Sequence, residues 1–312
     1  MYDRKSFGPW LVAFAALLWA VDAPFRKYLT GELSSSTIVF MEHLVIAVLV
    51  IVFLARSLAE LKNLNWKERF AVLFVAWGGS GLATIFFTQS FHYLNPSVAI
   101  LLQKVQPFIA IFLASAVLKE KLTPKFWLWA LLGVFGAYLV TFPELAVSGL
   151  SLQGGTLGVA LALLAAFFWG GSTVFGRMVL RKVSFQAMTG ARFLGALLFL
   201  FLVQIYYGRI AETASASARD WLYVLIVAVL AGFVSLFIYY RGLQATRASV
   251  ATIAELVFPF SAVIINWIFL DARLEAGQIA GGLILLISLM QLTKVNFQAA
   301  TAAPAALQGK AV

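Results

Sequence analysis

LNPSVAILLQKVQPFIAIFLASAVLKEKL, running from Leu94 to Leu122, decides the fold. The stretch is apolar enough to cross a bilayer, yet it carries Lys104 and Pro107 near its middle and stops at Lys119-Glu120-Lys121. A second copy, TRASVATIAELVFPFSAVIINWIFLDARL, runs from Thr246 to Leu274. Laid over each other without a gap at a shift of 152, the two match at nine positions. Ser97, Val98 and Ala99 fall on Ser249, Val250 and Ala251. Val105, Pro107, Phe108 and Ala110 fall on Val257, Pro259, Phe260 and Ala262, and Leu118 and Leu122 on Leu270 and Leu274. Self-similarity at a fixed shift means one structural unit used twice.

The register extends upstream. At a shift of 150, Trp19 falls on Trp169, Phe25 on Phe175, Lys27 on Arg177 and Ser34 on Ser184. The chain is therefore one half-unit, 8–142, followed by a second copy at 155–294. Residues 299–312 (AATAAPAALQGKAV) form an Ala-rich tail expected to be disordered.

The pattern YLNPSVAILL…P…LKEKLTP, carried in both copies, resembles the EamA half-domain of the drug/metabolite transporter (DMT) superfamily, in its ten-helix exporter group. The resemblance implies ten transmembrane helices and export or exchange of small metabolites. It says little about substrate. In that family the second span commonly carries Arg followed by an aromatic, as Arg192-Phe193 does here, but the first copy has Glu42-His43 instead. The family's terminal Glu is present as Glu120 and becomes Ala272, beside Asp271, in the second copy.

Composition agrees with a membrane protein. Hydrophobic residues make up 62% and charged residues 12% of the chain, against about 25% charged in a soluble globule. Gly8–Leu29 is too long for a cleavable signal, contains Asp22 and lacks a small-residue cleavage site, so it reads as the first span. The net charge of +10 does not point to nucleic acid, because the basic residues collect in loops and no aromatic-basic stripe lies outside the spans. The absence of cysteine excludes disulfides and thiolate metal sites.

About 20 apolar residues cross a bilayer core. By that measure spans are expected at 8–28, 36–55, 69–90, 95–118, 125–142, 156–177, 185–207, 221–240, 248–270 and 276–294. With the N-terminus inside, sixteen Lys and Arg fall in cytoplasmic segments and five (Arg26, Lys27, Arg209, Arg219, Arg273) in outer loops. Both termini are thus expected in the cytoplasm. Five spans per half make the halves inverted repeats, an arrangement that places a substrate site near the midplane. The expected fold is an all-α membrane protein of ten transmembrane helices in two inverted five-helix repeats, set in the cytoplasmic (inner) membrane. Spans 1, 3, 4, 6, 8 and 9 would form a central cavity, with 5 and 10 behind.

Ionisable residues inside spans cost about 2.5–3.5 kcal/mol each on insertion scales and mark functional positions. Asp22, Glu42, Lys104, Arg192 and Glu255 are such residues, with His43 beside Glu42. Glu42 and Arg192 are equivalent in the second spans, and Lys104 lies one residue past the equivalent of Glu255 in the fourth. This suggests two ion pairs, Glu42–Lys104 and Arg192–Glu255, which either fix helix register or line a substrate path. His43 is a packing residue or a proton carrier. Trp19 and Trp169 lie too deep for an interfacial belt, and their ring faces beside carboxylates suit an organic cation. Gln89, Tyr239 and Tyr240 complete the candidate substrate-binding set. Pro24, Pro107 and Pro259 kink their helices and are candidate gating points. No His/Asp/Glu spacing suggests a metal, no cofactor is expected, and no nucleophile–base constellation suggests an enzyme.

The expected activity is secondary transport of a small metabolite by alternating access. Three acids point to amino acids or other amine-bearing solutes. An organic-anion or phosphorylated-sugar exchanger, using Lys104 and Arg192, is the first alternative, and a non-transporting scaffold or lipid translocator the second. Protons are a candidate coupling ion. The expected partners are the solute and the bilayer, the chain acting as monomer or homodimer.

Overall fold

The computed structural model describes residues 8–118, 124–141, 155–180, 182–244, 254–255 and 257–291. Glu120, the tail at 299–312 and the start of the expected ninth span fall outside them, as does the side chain of Tyr240. Every regular element among the described residues is helical.

The first half begins with α1 (Gly8–Ala20) and α2 (Asp22–Glu32), one rod interrupted at Val21. Next come α3 (Ser35–Leu54), a 3-10 segment (Ala55–Asn63), and α4 (Trp66–Ser90). The fourth expected span is again split, into α5 (Pro96–Gln103) and α6 (Gln106–Leu118), and α7 (Pro124–Thr141) closes the half. The second half holds α8 (Gly155–Val179), α9 (Phe185–Tyr206), the short α10 (Ile210–Ser215) and α11 (Ala218–Ile226). A widened turn, Val227–Val234, carries α11 into α12 (Ser235–Gln244), followed by α13 (Val257–Leu270) and α14 (Ala276–Gln291). Among the described residues, Trp66–Ser90, Gly155–Gly176, Phe185–Tyr206 and Ala218–Tyr239 are each long and apolar enough to cross a membrane unaided.

The broken spans have one cause. Proline has no N–H, and its ring collides with the carbonyl four residues before it. Those carbonyls belong to Ala20 for Pro24, Gln103 for Pro107 and Glu255 for Pro259. Helix α1 ends at Ala20 and α5 ends at Gln103, while α13 begins two residues after Glu255. Tight turns bridge the gaps, with the Val21 N–H donating to Leu18 O, Lys104 N–H to Leu101 O, and Phe258 N–H to Glu255 O.

The third spans show the duplication in detail. Each opens on a capping box, Asn65 with Glu68 and Ser217 with Asp220, pairs related by the shift of 152. Each then widens into a π-wound stretch, Phe74–Leu82 and Val227–Val234. Such stretches are rare and frequent near functional sites.

Packing runs between the halves as much as within them. Helix α1 lies against α12 and α13, α4 and α6 lie against α8, and α3 lies along α9. Small residues allow this closeness. A Cβ on Gly79 of α4 would sit 2.0 Å from Ser172 Oγ of α8. One on Gly136 of α7 would sit 2.7 Å from the Gly281 carbonyl of α14, so the two backbones approach closely here. Ala16, Ala20, Phe87, Ile100, Ala165 and Phe258 form a core drawn from both halves, with Trp19 and Trp169 packed against it.

Two polar latches also cross between the halves. Ser34, at the N-terminus of α3, donates its N–H to Glu212 Oε1 (2.5 Å) and its hydroxyl to Oε2 (2.7 Å). Ser184, at the N-terminus of α9, donates in the same two ways to Glu60, at 2.6 and 2.7 Å. The serines are related by the shift of 150 and the glutamates by 152. The Glu212 latch is the larger: Thr37 donates to Glu212 at 2.7 Å, Gln204 donates to Thr37 at 2.8 Å, and Arg209 donates to Ser36 at 3.0 Å.

Candidate functional site

At the centre of the molecule, the two broken fourth spans bring their polar turns together. Lys104 caps α5, with Nζ 4.5 Å from the centre of the Phe258 ring on α13. Glu255, just before α13, accepts a 2.6 Å hydrogen bond from the Tyr239 hydroxyl on α12. Lys104 and Glu255 lie within electrostatic reach of each other. The Trp19 ring of α1 stands 5.2 Å from that of Tyr239 and 6.3 Å from that of Phe258. Helices α1, α5, α12 and α13 thus place one cation, one anion and three large rings side by side. Trp169 packs in the same core, 5.3 Å from Phe87.

A second group holds α2, α3 and α4 together. Arg26 is 5% exposed and grips Asp22 through Nε (2.7 Å) and Nη2 (2.9 Å), one helical turn away. Its Nη1 donates to Thr88 of α4 (2.7 Å) and lies 2.8 Å from Glu42 Oε1 of α3. The contact with Glu42 is a charge contact rather than an aligned hydrogen bond.

A third group lies on α9. Arg192 Nε donates to Ser80 Oγ in the widened turn of α4, at 2.5 Å. His43 is 3% exposed, directs Nδ1 at the Val39 carbonyl (2.8 Å) and stands 5.6 Å from the Phe193 ring. A donating Nδ1 leaves Nε2 as the acceptor, and that atom is buried with no partner among the described residues.

The structure thus corrects both ion pairs expected from the sequence. Glu42 meets Arg26 rather than Lys104, and Glu255 meets Tyr239 and the charge of Lys104 rather than Arg192. Equivalent positions of the repeat share depth along their helices, whereas the partner depends on azimuth, the direction in which each side chain leaves its helix. Arg26, expected in an outer loop, is instead buried inside the first group, because α2 continues past the break at Val21. The sequence held the clue: Asp22 and Arg26 are spaced i, i+4, which puts them on one helix face.

Of the expected site residues, Trp19, Lys104, Tyr239 and Glu255 come together at the centre. Asp22 and Glu42 are held by Arg26, and His43 and Arg192 lie in the third group. The side chain of Gln89 joins none of the three groups among the described residues. Pro24, Pro107 and Pro259 stand at the breaks. Sequence reasoning passed over Arg26, Ser80, Thr88 and Gln103.

An apolar chain, helical throughout its described residues, whose interrupted helices bury a cation, an anion and three rings at one internal centre is built as a multi-pass membrane transporter of small molecules. Comparison with known proteins narrows this. The chain belongs to the EamA-like transporter family, which matches residues 6–142 and again residues 156–293. It is 33% identical over 302 residues to the riboflavin transporter ImpX of Fusobacterium nucleatum, covering 94% of this chain and all of that one. It is 28% identical over 181 residues to an uncharacterized transporter of Acidianus ambivalens, covering 57% of this chain and 66% of the relative. A solved crystal structure, 16% identical, superposes with a TM-score of 0.62 over 93% of this chain and 97% of its own, and shares the fold.

Proposed function

We propose that this chain carries a flat, uncharged heteroaromatic solute of the riboflavin kind across the cytoplasmic membrane by alternating access. The observation that carries the reading is the central group. Trp19, Tyr239 and Phe258 offer ring faces for stacking. Lys104 and Glu255 offer hydrogen bonding while balancing each other's charge. A relative named for riboflavin transport, matched over its whole length, supports the same class.

The amine-bearing solutes suggested by three intramembrane acids fit less well. Asp22 and Glu42 are both engaged by Arg26, which leaves Glu255 as the acid of the central group. A phosphate ester fits less well too, because Arg192 bonds to Ser80 and Lys104 lies beside Glu255.

The test is riboflavin binding by purified protein, followed by uptake into liposomes carrying it, against a panel of amino acids, organic cations and phosphate esters. The expected result is riboflavin binding that weakens in Trp19→Ala and Phe258→Ala. Binding of amino acids or amines alone, lost in Glu255→Gln, would return the site to the amine reading.

The transport cycle proposed here uses ten spans in two inverted five-helix repeats with both termini in the cytoplasm. The reciprocal latches support a twofold relation between halves. The basic-residue bias supports the orientation, and grows stronger once Arg26 leaves the outer set of five. The cysteine-free chain makes a direct check possible. A membrane-impermeant thiol reagent should label Ser215→Cys on intact cells, and Asp3→Cys only after permeabilisation. Protons are the proposed coupling ion, with Glu255 as carrier. A pH gradient that leaves uptake unchanged would remove that role.

A further inference from the structure

Gln103 and Glu255 are the same position of the repeat, related by the shift of 152. Each stands four residues before the proline that interrupts its span, and each precedes the turn at the molecular centre. They differ in the donor that each is offered. Glu255 receives the hydroxyl of Tyr239 at 2.6 Å. The residue equivalent to Tyr239 in the first half is Phe87, which stacks against Phe91 and Trp169 and has no hydroxyl to give. Gln103 Oε1 is buried with no donor among the described residues. Native interiors leave few such acceptors bare, and those they leave call for an explanation. The next residue, Lys104, carries its ammonium over Phe258, in the ring-lined centre.

We infer that Gln103 is a substrate-reading residue: its buried carbonyl oxygen accepts an N–H from the edge of the bound heteroaromatic, and Lys104 donates to the carbonyl next to that N–H. The class of ligand this selects is a planar ring system with an imide edge, an N–H flanked by carbonyl oxygens. The isoalloxazine ring of riboflavin has such an edge. The inference rests on the flavin reading of the central site and adds the contact that would orient the ring there. The two halves then divide the work. The second half satisfies its acceptor internally with Tyr239, and the first leaves its acceptor for the solute.

The test crosses two ligands with two variants. Riboflavin and N3-methylriboflavin, in which the imide N–H is blocked, are titrated against the wild-type protein, Gln103→Met and Phe87→Tyr, with flavin fluorescence as the signal. One neutral hydrogen bond to a buried acceptor corresponds to about a tenfold change in affinity. The wild type should prefer riboflavin over the methylated compound by about that factor. Gln103→Met should lose the preference by weakening riboflavin alone. Phe87→Tyr should act in the same direction, because it gives the first half the hydroxyl with which Tyr239 satisfies the equivalent Glu255. The melting temperature of ligand-free Gln103→Met should equal or exceed that of the wild type, since a bare acceptor is removed. If Phe87→Tyr fails to fold, Gln103→Met decides alone.

Equal binding of both flavins by the wild type would overturn the inference and leave the flavin reading standing. So would a Gln103→Met variant that weakens both flavins alike or melts lower without ligand, which would mark a structural residue. A wild-type protein that binds neither flavin would overturn the flavin reading, and this inference with it.

Discussion

The two halves share a scaffold and differ in what they do with charge. In the first, Asp22, Arg26, Glu42 and Thr88 form one buried cluster that ties three spans together. The equivalent positions of the second hold Ser172, Gly176, Arg192 and Tyr240. There Arg192 reaches across to Ser80 of the first half. Duplication preserved the prolines, the capping boxes and the widened turns, which set backbone shape. It did not preserve the charges, which set partners. At these four positions the first half is tied together by ions, and the second bonds outward through Arg192.

Breaking the first cluster should give the largest effect. Arg26→Ala strands Asp22 and Glu42 without a counter-charge, and breaking a buried pair from one side costs about 3–5 kcal/mol. A large fall in melting temperature in detergent is expected, and a fall of a degree or two would show the cluster to be incidental. Removing all three charges together, as Asp22→Asn, Arg26→Met and Glu42→Gln, makes the first half more like the second. That variant should recover most of the loss, because replacing a whole buried ion cluster is often close to neutral. Ser80→Ala should do less than Arg26→Ala, about 1.5–3 kcal/mol, since it removes one hydrogen bond made by a charged group.

The smallest effects are expected at the latches, and they depend on pH. Burial pushes the Glu212 carboxyl up, but the donors from Ser34 and Thr37 and the charge of Arg209 outweigh it and hold the group below its usual range. Donors from Ser184 likewise hold Glu60 below that range. A lowered folded value stabilises the fold above the ordinary carboxylate pKa, and the contribution disappears as pH falls through the lowered value. The melting-temperature gap between wild type and Glu212→Gln should therefore be full at neutral pH and close below about pH 4. Glu60→Gln should show the same trend with a smaller gap, because its latch lacks the bonds made by Thr37, Gln204 and Arg209. Equal gaps at both pH values would show that the carboxylate charge is not what holds the latch.

The sequence made some layers of this molecule readable and hid others. Backbone-level features were legible, because proline and apolar length act locally. The helix interruptions at Pro24, Pro107 and Pro259 and the duplication itself all follow from residue spacing. Trp19, Lys104, Tyr239 and Glu255 were among eleven candidates that the sequence offered, and nothing in the spacing set these four apart from the rest. The pairing of charges was not legible, because a span fixes depth along its axis while the partner depends on the rotation and tilt of neighbouring helices. Arg26 was misplaced for a related reason. Its basicity suggested a loop, and only the burial of two acids beside it explains why a guanidinium can stay inside. Gln103 was overlooked because a neutral amide in a span attracts no attention until its partner is seen to be missing.

The reciprocal latches also bear on how the chain is made. As the first half leaves the ribosome, Ser34 and Glu60 both lack their partners, which lie more than a hundred residues downstream at Glu212 and Ser184. Neither the start of α3 nor the 3-10 segment carrying Glu60 can reach its final bonding until the second half has been inserted alongside. Synthesised alone, the first half would be an incomplete object, vulnerable to quality control. Two separately made halves, each supplying what the other lacks, should by contrast assemble only as a pair.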